Sequence, residues 1–171
     1  RFAQRPLMPI WVIRLLVLLS LSSPVYARGD DVLGWQNTRW GMTEEQAAAA
    51  LGTQGLRITP PIKYAGLYVP LRTRVQVSGY TMNALLQFSD KTNTLRQVLL
   101  RWRTDSIVLW VRLRDLLTEK YGSPARVGKL TEWRFKTTII DLDRWSEPEI
   151  NGQVAVRFYP ASDNKDKTNR R

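Results

Sequence analysis

Arg39-Trp40-Gly41-Met42-Thr43-Glu44-Glu45-Gln46-Ala47-Ala48-Ala49-Ala50-Leu51-Gly52 spells a short helix with both ends written in. Thr43 is a good N-cap, and Gln46 three residues later completes the spacing of a capping box. Glu44 and Glu45 fall in the first turn, where the helix dipole favours negative charge. An alanine run follows, and Gly52 ends the helix at a position that favours a left-handed backbone. Nothing in this helix is a catalytic group.

The next segment, 56–65, holds Pro60 and Pro61 and runs into Gly66, and it reads as a loop. Alternation then begins. Leu67, Val69, Leu71, Thr73, Val75 and Val77 share one face, with Tyr68, Arg72, Arg74 and Gln76 on the other. Pro70 within it points to an edge or an irregular start. After the turn at Ser78-Gly79, Tyr80, Met82, Ala84, Leu86 and Phe88 alternate with Thr81, Asn83, Leu85 and Gln87. Beyond a hairpin loop at 90–94, Val98, Leu100 and Trp102 oppose Gln97, Leu99, Arg101 and Arg103. Three such strands make an antiparallel meander.

Thr104-Asp105 is placed to cap a second helix. Ile107, Trp110, Val111, Leu113, Leu117 and Tyr121 form its apolar stripe, and Gly122 and Pro124 end it. Trp133, Phe135, Thr137 and Ile139 then alternate with Arg134, Lys136 and Thr138. The pattern slips at Ile139-Ile140, where a β-bulge would turn Asp141 and Asp143 to solvent. Val154, Val156 and Phe158 mark the last strand. The fold class expected is α+β, with the order α-β-β-β-α-β-β and two helices packed on one face of an antiparallel sheet.

The 171 residues suit one such domain over 35–160. Residues 1–27 read as a secretory signal peptide. Arg1, Arg5 and Arg14 accompany an apolar run of about 12 residues, too short to span a bilayer, and Val25-Tyr26-Ala27 is a small-x-small site cleaved after Ala27. A chain starting at Met8 would still carry that leader. Residues 28–34 form a polar leader and 161–171 a disordered basic tail. The expected location is periplasmic or secreted, with no permanent membrane anchor after cleavage.

Composition excludes much. No Cys and no His occur, which removes disulfides, thiolate nucleophiles, lipid attachment at an N-terminal Cys, Cys/His metal sites and His-based triads. There is no phosphate-binding glycine loop and no Gly-x-Ser-x-Gly elbow. No cofactor is expected. The net charge is +11, and subtracting the three arginines of the first 27 residues leaves +8. That charge suits an acidic protein or an anionic envelope component; for an exported chain, nucleic acid is not an expected partner.

Gly41-Met42-Thr43-Glu44-Glu45-Gln46, with Leu51-Gly52-Thr53, resembles the helix motif of the SmpA/OmlA (BamE-like) family of exported bacterial domains, and Leu85-Leu86-Gln87-Phe88, Asp90 and Leu95 resemble the hairpin that follows it there. The resemblance covers about residues 40–100. It implies a β-lactamase-inhibitor-protein-like fold with helices on one face of an antiparallel sheet, and a non-enzymatic binding role. The family's lipoprotein anchors through an N-terminal Cys that this chain lacks, and this chain adds a second helix and further strands.

Two groups of residues are candidates for function. Arg72, Arg74, Arg101, Arg103, Arg134, Lys136 and Arg157 fall on the polar side of four strands, so helices on one sheet face would leave seven cations on the other. A solvated face that keeps the protein soluble has the same pattern. Asp141 and Asp143 put two carboxylates on one face of a strand, the arrangement of a weak divalent-metal site or an acid–base pair, and equally of a solvated edge. Among the tryptophans, Trp102, Trp110 and Trp133 read as core, and Trp35 and Trp145 as exposed loop residues. The functional expectation is a non-enzymatic binding domain using the basic sheet face. The alternatives are a carboxylate-based hydrolase of envelope polymers and a structural subunit of an envelope complex.

Overall fold

A computed structural model describes residues 31–77, 79–104, 106–145 and 152–164. The expected leader, its cleavage site after Ala27, the cap residue Asp105 and the end of the basic tail lie outside these. The mixed α+β class and the antiparallel sheet are seen. The order is longer than expected: β1 (Gly34–Trp35), β2 (Thr38–Arg39), α1 (Glu44–Leu51), β3 (Leu56–Tyr64), β4 (Leu67–Val77), β5 (Tyr80–Ser89), β6 (Leu95–Trp102), α2 (Ile107–Tyr121), β7 (Leu130–Arg134), β8 (Thr138–Trp145) and β9 (Gln153–Pro160). β1 and β2 form a small hairpin. The other seven strands make one antiparallel sheet in the order β3-β4-β5-β6-β9-β8-β7.

α1 is built as its sequence dictates. The Thr43 amide donates to Gln46 Oε1 at 2.9 Å, and the Gln46 amide donates to Thr43 Oγ1 at 3.4 Å, so both halves of the capping box form. Gly52 ends the helix at φ 56°. Ala47 and Leu51 are its buried residues. Eight residues are too few for a stable isolated helix, so the cap and those two contacts hold it. Thr43→Ala should therefore cost about 1 kcal/mol, read as a lower urea midpoint with an unchanged slope. An unchanged midpoint would show that packing alone sets the helix.

The segment expected to be a loop is strand β3. Its two prolines are tolerated because β3 is an edge strand, and the register against β4 shifts between Arg57 and Ile62, where no regular ladder asks for their missing N–H groups. Pro70 sits inside the sheet for a similar reason. The β4–β5 register shifts between Tyr68 and Leu71, placing Val69 and Pro70 opposite a single residue. That bulge also reverses the face assigned to Tyr68. It pairs with Phe88, ring centroids 5.8 Å apart, and packs against the core instead of the polar side.

The slip at Ile139-Ile140 is not a bulge but the start of a new strand. β7 and β8 form a hairpin around 135–137, with Trp133 opposite Ile140 and Glu132 opposite Asp141. α2 is capped by Ser106, whose hydroxyl accepts from the Leu109 amide at 3.3 Å, in place of Thr104-Asp105. Its buried residues are Leu109 and Leu113, with Trp110, Leu117 and Tyr121 partly buried beside them; Ile107 is exposed. Leu109 and Leu113 belong to the same hydrophobic cluster as Ala47 and Leu51 of α1, Leu71 of β4, Met82, Leu86 and Phe88 of β5, Val98 of β6, Val156 and Phe158 of β9, and Trp133 of β7.

Trp133 is fully buried, as expected, whereas Trp102 and Trp110 are half-buried against the cluster. Trp35, expected in an exposed loop, is buried in β1. Trp145, also expected in a loop, is the last residue of β8. The two ends of the described region are tied to the sheet. Val32 is buried and its carbonyl accepts from Thr137 Oγ1 at 2.8 Å, while Ala161–Asn164 make a 3-10 turn whose Asp163 pairs with Arg96.

Candidate functional site: an arginine-lined groove

The strand residues outside the core cluster line up across the sheet in register. One row runs Leu56, Arg72, Leu85, Leu99, Arg157, Asp141, Glu132 from β3 to β7. The next runs Arg74, Asn83, Arg101, Ala155, Asp143, Leu130 from β4 to β7. These rows divide the surface into two electrically different halves. Its β4–β6 side is cationic, and the β7–β9 side carries three carboxylates.

The seven basic residues expected to act together are thereby separated. Arg157 Nη2 lies 2.8 Å from Asp143 Oδ2, and Arg134 Nε lies 2.5 Å from Glu132 Oε1. Both charges are neutralised within the sheet. Lys136 lies in the β7–β8 turn, outside either strand. Arg72, Arg74, Arg101 and Arg103 are exposed, and none makes an ion pair with a described residue. Arg103 follows the end of β6 on the same side as Arg101.

The two aspartates are not solvated. Asp141 is 4% exposed and Asp143 8%, and neighbouring Glu132 is 6%. Asp141 Oδ2 accepts from the Tyr159 hydroxyl at 3.0 Å. Burial, then the Asp141 carboxylate beside it, pushes the Tyr159 phenol well above its ordinary value. The bulge that would have exposed these aspartates does not exist, and Arg157, directly opposite Asp141, is what makes burying carboxylates here tolerable. Among the described residues no three acidic side chains come together as a metal-holding group. The cluster joins three strands and presents no open carboxylate to a substrate.

The cationic half gains a residue that the sequence reading missed. β3 flanks the sheet and, with β4, β5 and β6, bounds a groove of about 610 Å³. Arg57 and Arg72 line one side and Arg101 and Arg103 the other, with Ile58, Ile62 and Leu85 as apolar surface. Arg57 stands opposite Leu71, and its guanidinium turns to Glu44 of α1 at 3.1 Å, so the unpaired charge of the groove comes from Arg72, Arg101 and Arg103. It was hidden by the proline-based reading of 56–65 as a loop, although Leu56-Arg57-Ile58-Thr59 alternates as a strand would. Residues two apart on a strand lie about 7 Å apart, and strands two places apart lie about 10 Å apart. The guanidinium groups are therefore spread too widely for one small anion and suit a chain of negative groups. Beside the groove, Gln97 Nε2 donates to Gln87 Oε1 at 2.8 Å, and Gln87 Nε2 donates to the Tyr64 hydroxyl. Burial raises the Tyr64 phenol, and the Arg101 guanidinium pulls it back.

No protein-family profile, curated protein or solved structure matches the chain. Among the described residues no helix is long and apolar enough to cross a membrane.

Proposed function

We propose that this chain is an exported, non-enzymatic binding domain whose helices cover one sheet face and whose groove beside β3 receives an extended acidic segment of another protein. The carrying observation is that Arg72, Arg101 and Arg103 line one groove, with no carboxylate among its lining residues. Apolar surface from Ile58, Ile62 and Leu85 between those charges favours a polypeptide with alternating acidic and apolar side chains over a uniformly charged polymer. The resemblance of the α1 motif and the β5–β6 hairpin to the SmpA/OmlA family supports the same reading. So does the absence of His and Cys.

The test uses a fluorescent peptide of alternating Glu and Leu, with polyphosphate of equal charge as competitor. The peptide should bind, and binding should weaken as salt rises because exposed charges are screened. Arg101→Glu with Arg103→Glu should lower the affinity at least tenfold while leaving the melting temperature unchanged, since both side chains leave the sheet away from Leu100. Equal affinity in that variant would sink the groove, and tighter binding of polyphosphate would sink the peptide preference.

A further inference from the structure

We propose that the groove beside β3 is closed at one end and receives there the C-terminus of its acidic partner, with the Tyr64 hydroxyl donating to the terminal carboxylate. The inference rests on the groove being a binding site, and it adds which part of the partner enters. Ile62 and Tyr64 are two apart on β3 and share a face, so Tyr64 continues the wall to which Ile62 belongs. Tyr64 pairs with Leu67 of β4, yet its hydroxyl accepts from Gln87 Nε2 on β5, the strand beyond. The side chain therefore crosses β4 and bars the groove. Gln97 of β6 lengthens the bar by donating to Gln87 Oε1 at 2.8 Å. One hydrogen-bonded line thus reaches from β3 to β6. The other end is built differently. β3 begins at Leu56, in the row of Arg72, and Arg101 and Arg103 lie past that row on β6. A chain entering over these arginines runs along the strands and has to stop at Tyr64.

Gln87 holds the bar in place. It is 0% exposed and both ends of its amide are bonded, so swinging Tyr64 aside would strand a buried N–H group. The line of bonds also has a direction. The Tyr64 oxygen accepts, which leaves its own proton at the free end, and no described residue accepts that proton. Burial raises the phenol and the Arg101 guanidinium draws it back, so the proton is retained at neutral pH. By row, Arg72 is next to Gln87 and Arg101 is one row further. A hydroxyl donor with guanidinium groups behind it suits a carboxylate. A chain that ends at a barrier presents its terminal carboxylate at that point. A side-chain carboxylate would reach it only if the backbone turned out of the groove.

Three N-terminally labelled peptides of alternating Glu and Leu test this by fluorescence anisotropy. One has a free C-terminus, one is amidated, and one is amidated with an extra N-terminal Glu that restores the lost charge. The free acid should bind about tenfold tighter than either amide. Tyr64→Phe should bring the free acid and the charge-matched amide to within about twofold of each other, because the contact that tells them apart is gone. A purely structural Tyr64 would weaken both alike and keep their ratio, and that result overturns its assignment. The peptide comparison on the unaltered protein needs no variant, so it decides the matter even if the phenylalanine protein does not fold. Equal binding of the free acid and the charge-matched amide overturns the C-terminal reading and leaves the groove as a site for internal acidic segments. Failure of every peptide to bind overturns both.

Discussion

Trp133→Ala should destabilise the protein by about 3–5 kcal/mol, the range for removing a large aromatic side chain from a core. The ring is 1% exposed and is the largest fully buried side chain among the described residues. Its indole N–H donates to the Gly122 carbonyl at 2.9 Å, so it also ties the C-terminal end of α2 to β7. Truncation opens a cavity and removes the donor to that carbonyl together. At about 2–4 °C per kcal/mol for a chain of this size, the melting temperature should fall by roughly 10 °C. Trp102→Ala is the contrast. That ring is only half-buried at the end of β6, and its loss should cost clearly less. A cost below about 1 kcal/mol for Trp133→Ala would mean that this part of the core is not packed as described.

Asp141→Ala should cost about 3 kcal/mol, several times the usual effect of a surface substitution. The reason is its burial opposite Arg157 and under the Tyr159 hydroxyl. Removing one partner of a buried charged network strands the others in a medium that solvates them poorly. Asp141→Asn keeps an oxygen for the Tyr159 hydroxyl and should cost less than the alanine. Chemical denaturation of the two variants gives both numbers, and equal, near-zero costs would return the aspartate to the solvated edge first expected of it. Burial of Tyr159, and then the Asp141 carboxylate beside it, makes a pH prediction. Folding raises the Tyr159 phenol above its ordinary value of 10.0, so the associated stability is present in full below pH 10 and is lost as the pH climbs past it. Tyr159→Phe should flatten that alkaline loss.

What was legible in the sequence depended on how far each feature reaches along the chain. The capping box of α1 involves residues three apart, and it formed as written. The projection of Arg72, Arg74, Arg101 and Arg103 followed from strand alternation alone. Features set by register did not show. Tyr68 changed faces because of a bulge at Val69-Pro70 that only pairing with β5 defines. Asp141 is buried because β9 brings Arg157 opposite it, and spacing along the chain carries no sign of that. Segment 56–65 was misread because two prolines ordinarily end a strand, and their tolerance here depends on an edge position and a register shift. Arg57 was lost with it. The basic surface was therefore readable as a list of cations, whereas the pairing that neutralises Arg134 and Arg157 and spares Arg72, Arg101 and Arg103 was not.

The position of β9 has a consequence for the order in which this protein can acquire its structure. It is the last of the described strands along the chain, yet it lies between β6 and β8 near the middle of the sheet. Until it arrives, the meander from β3 to β6 and the β7–β8 hairpin are two separate pieces, each with an open strand edge and an uncovered apolar face. Pairing such as Val98 with Phe158 closes a loop of about 60 residues, a slow step for any chain. A growing polypeptide therefore cannot complete its core ahead of synthesis. It emerges as two unfinished sheets that become one packed unit only when β9 slots in, so it depends on whatever shields open edges until β9 has been made.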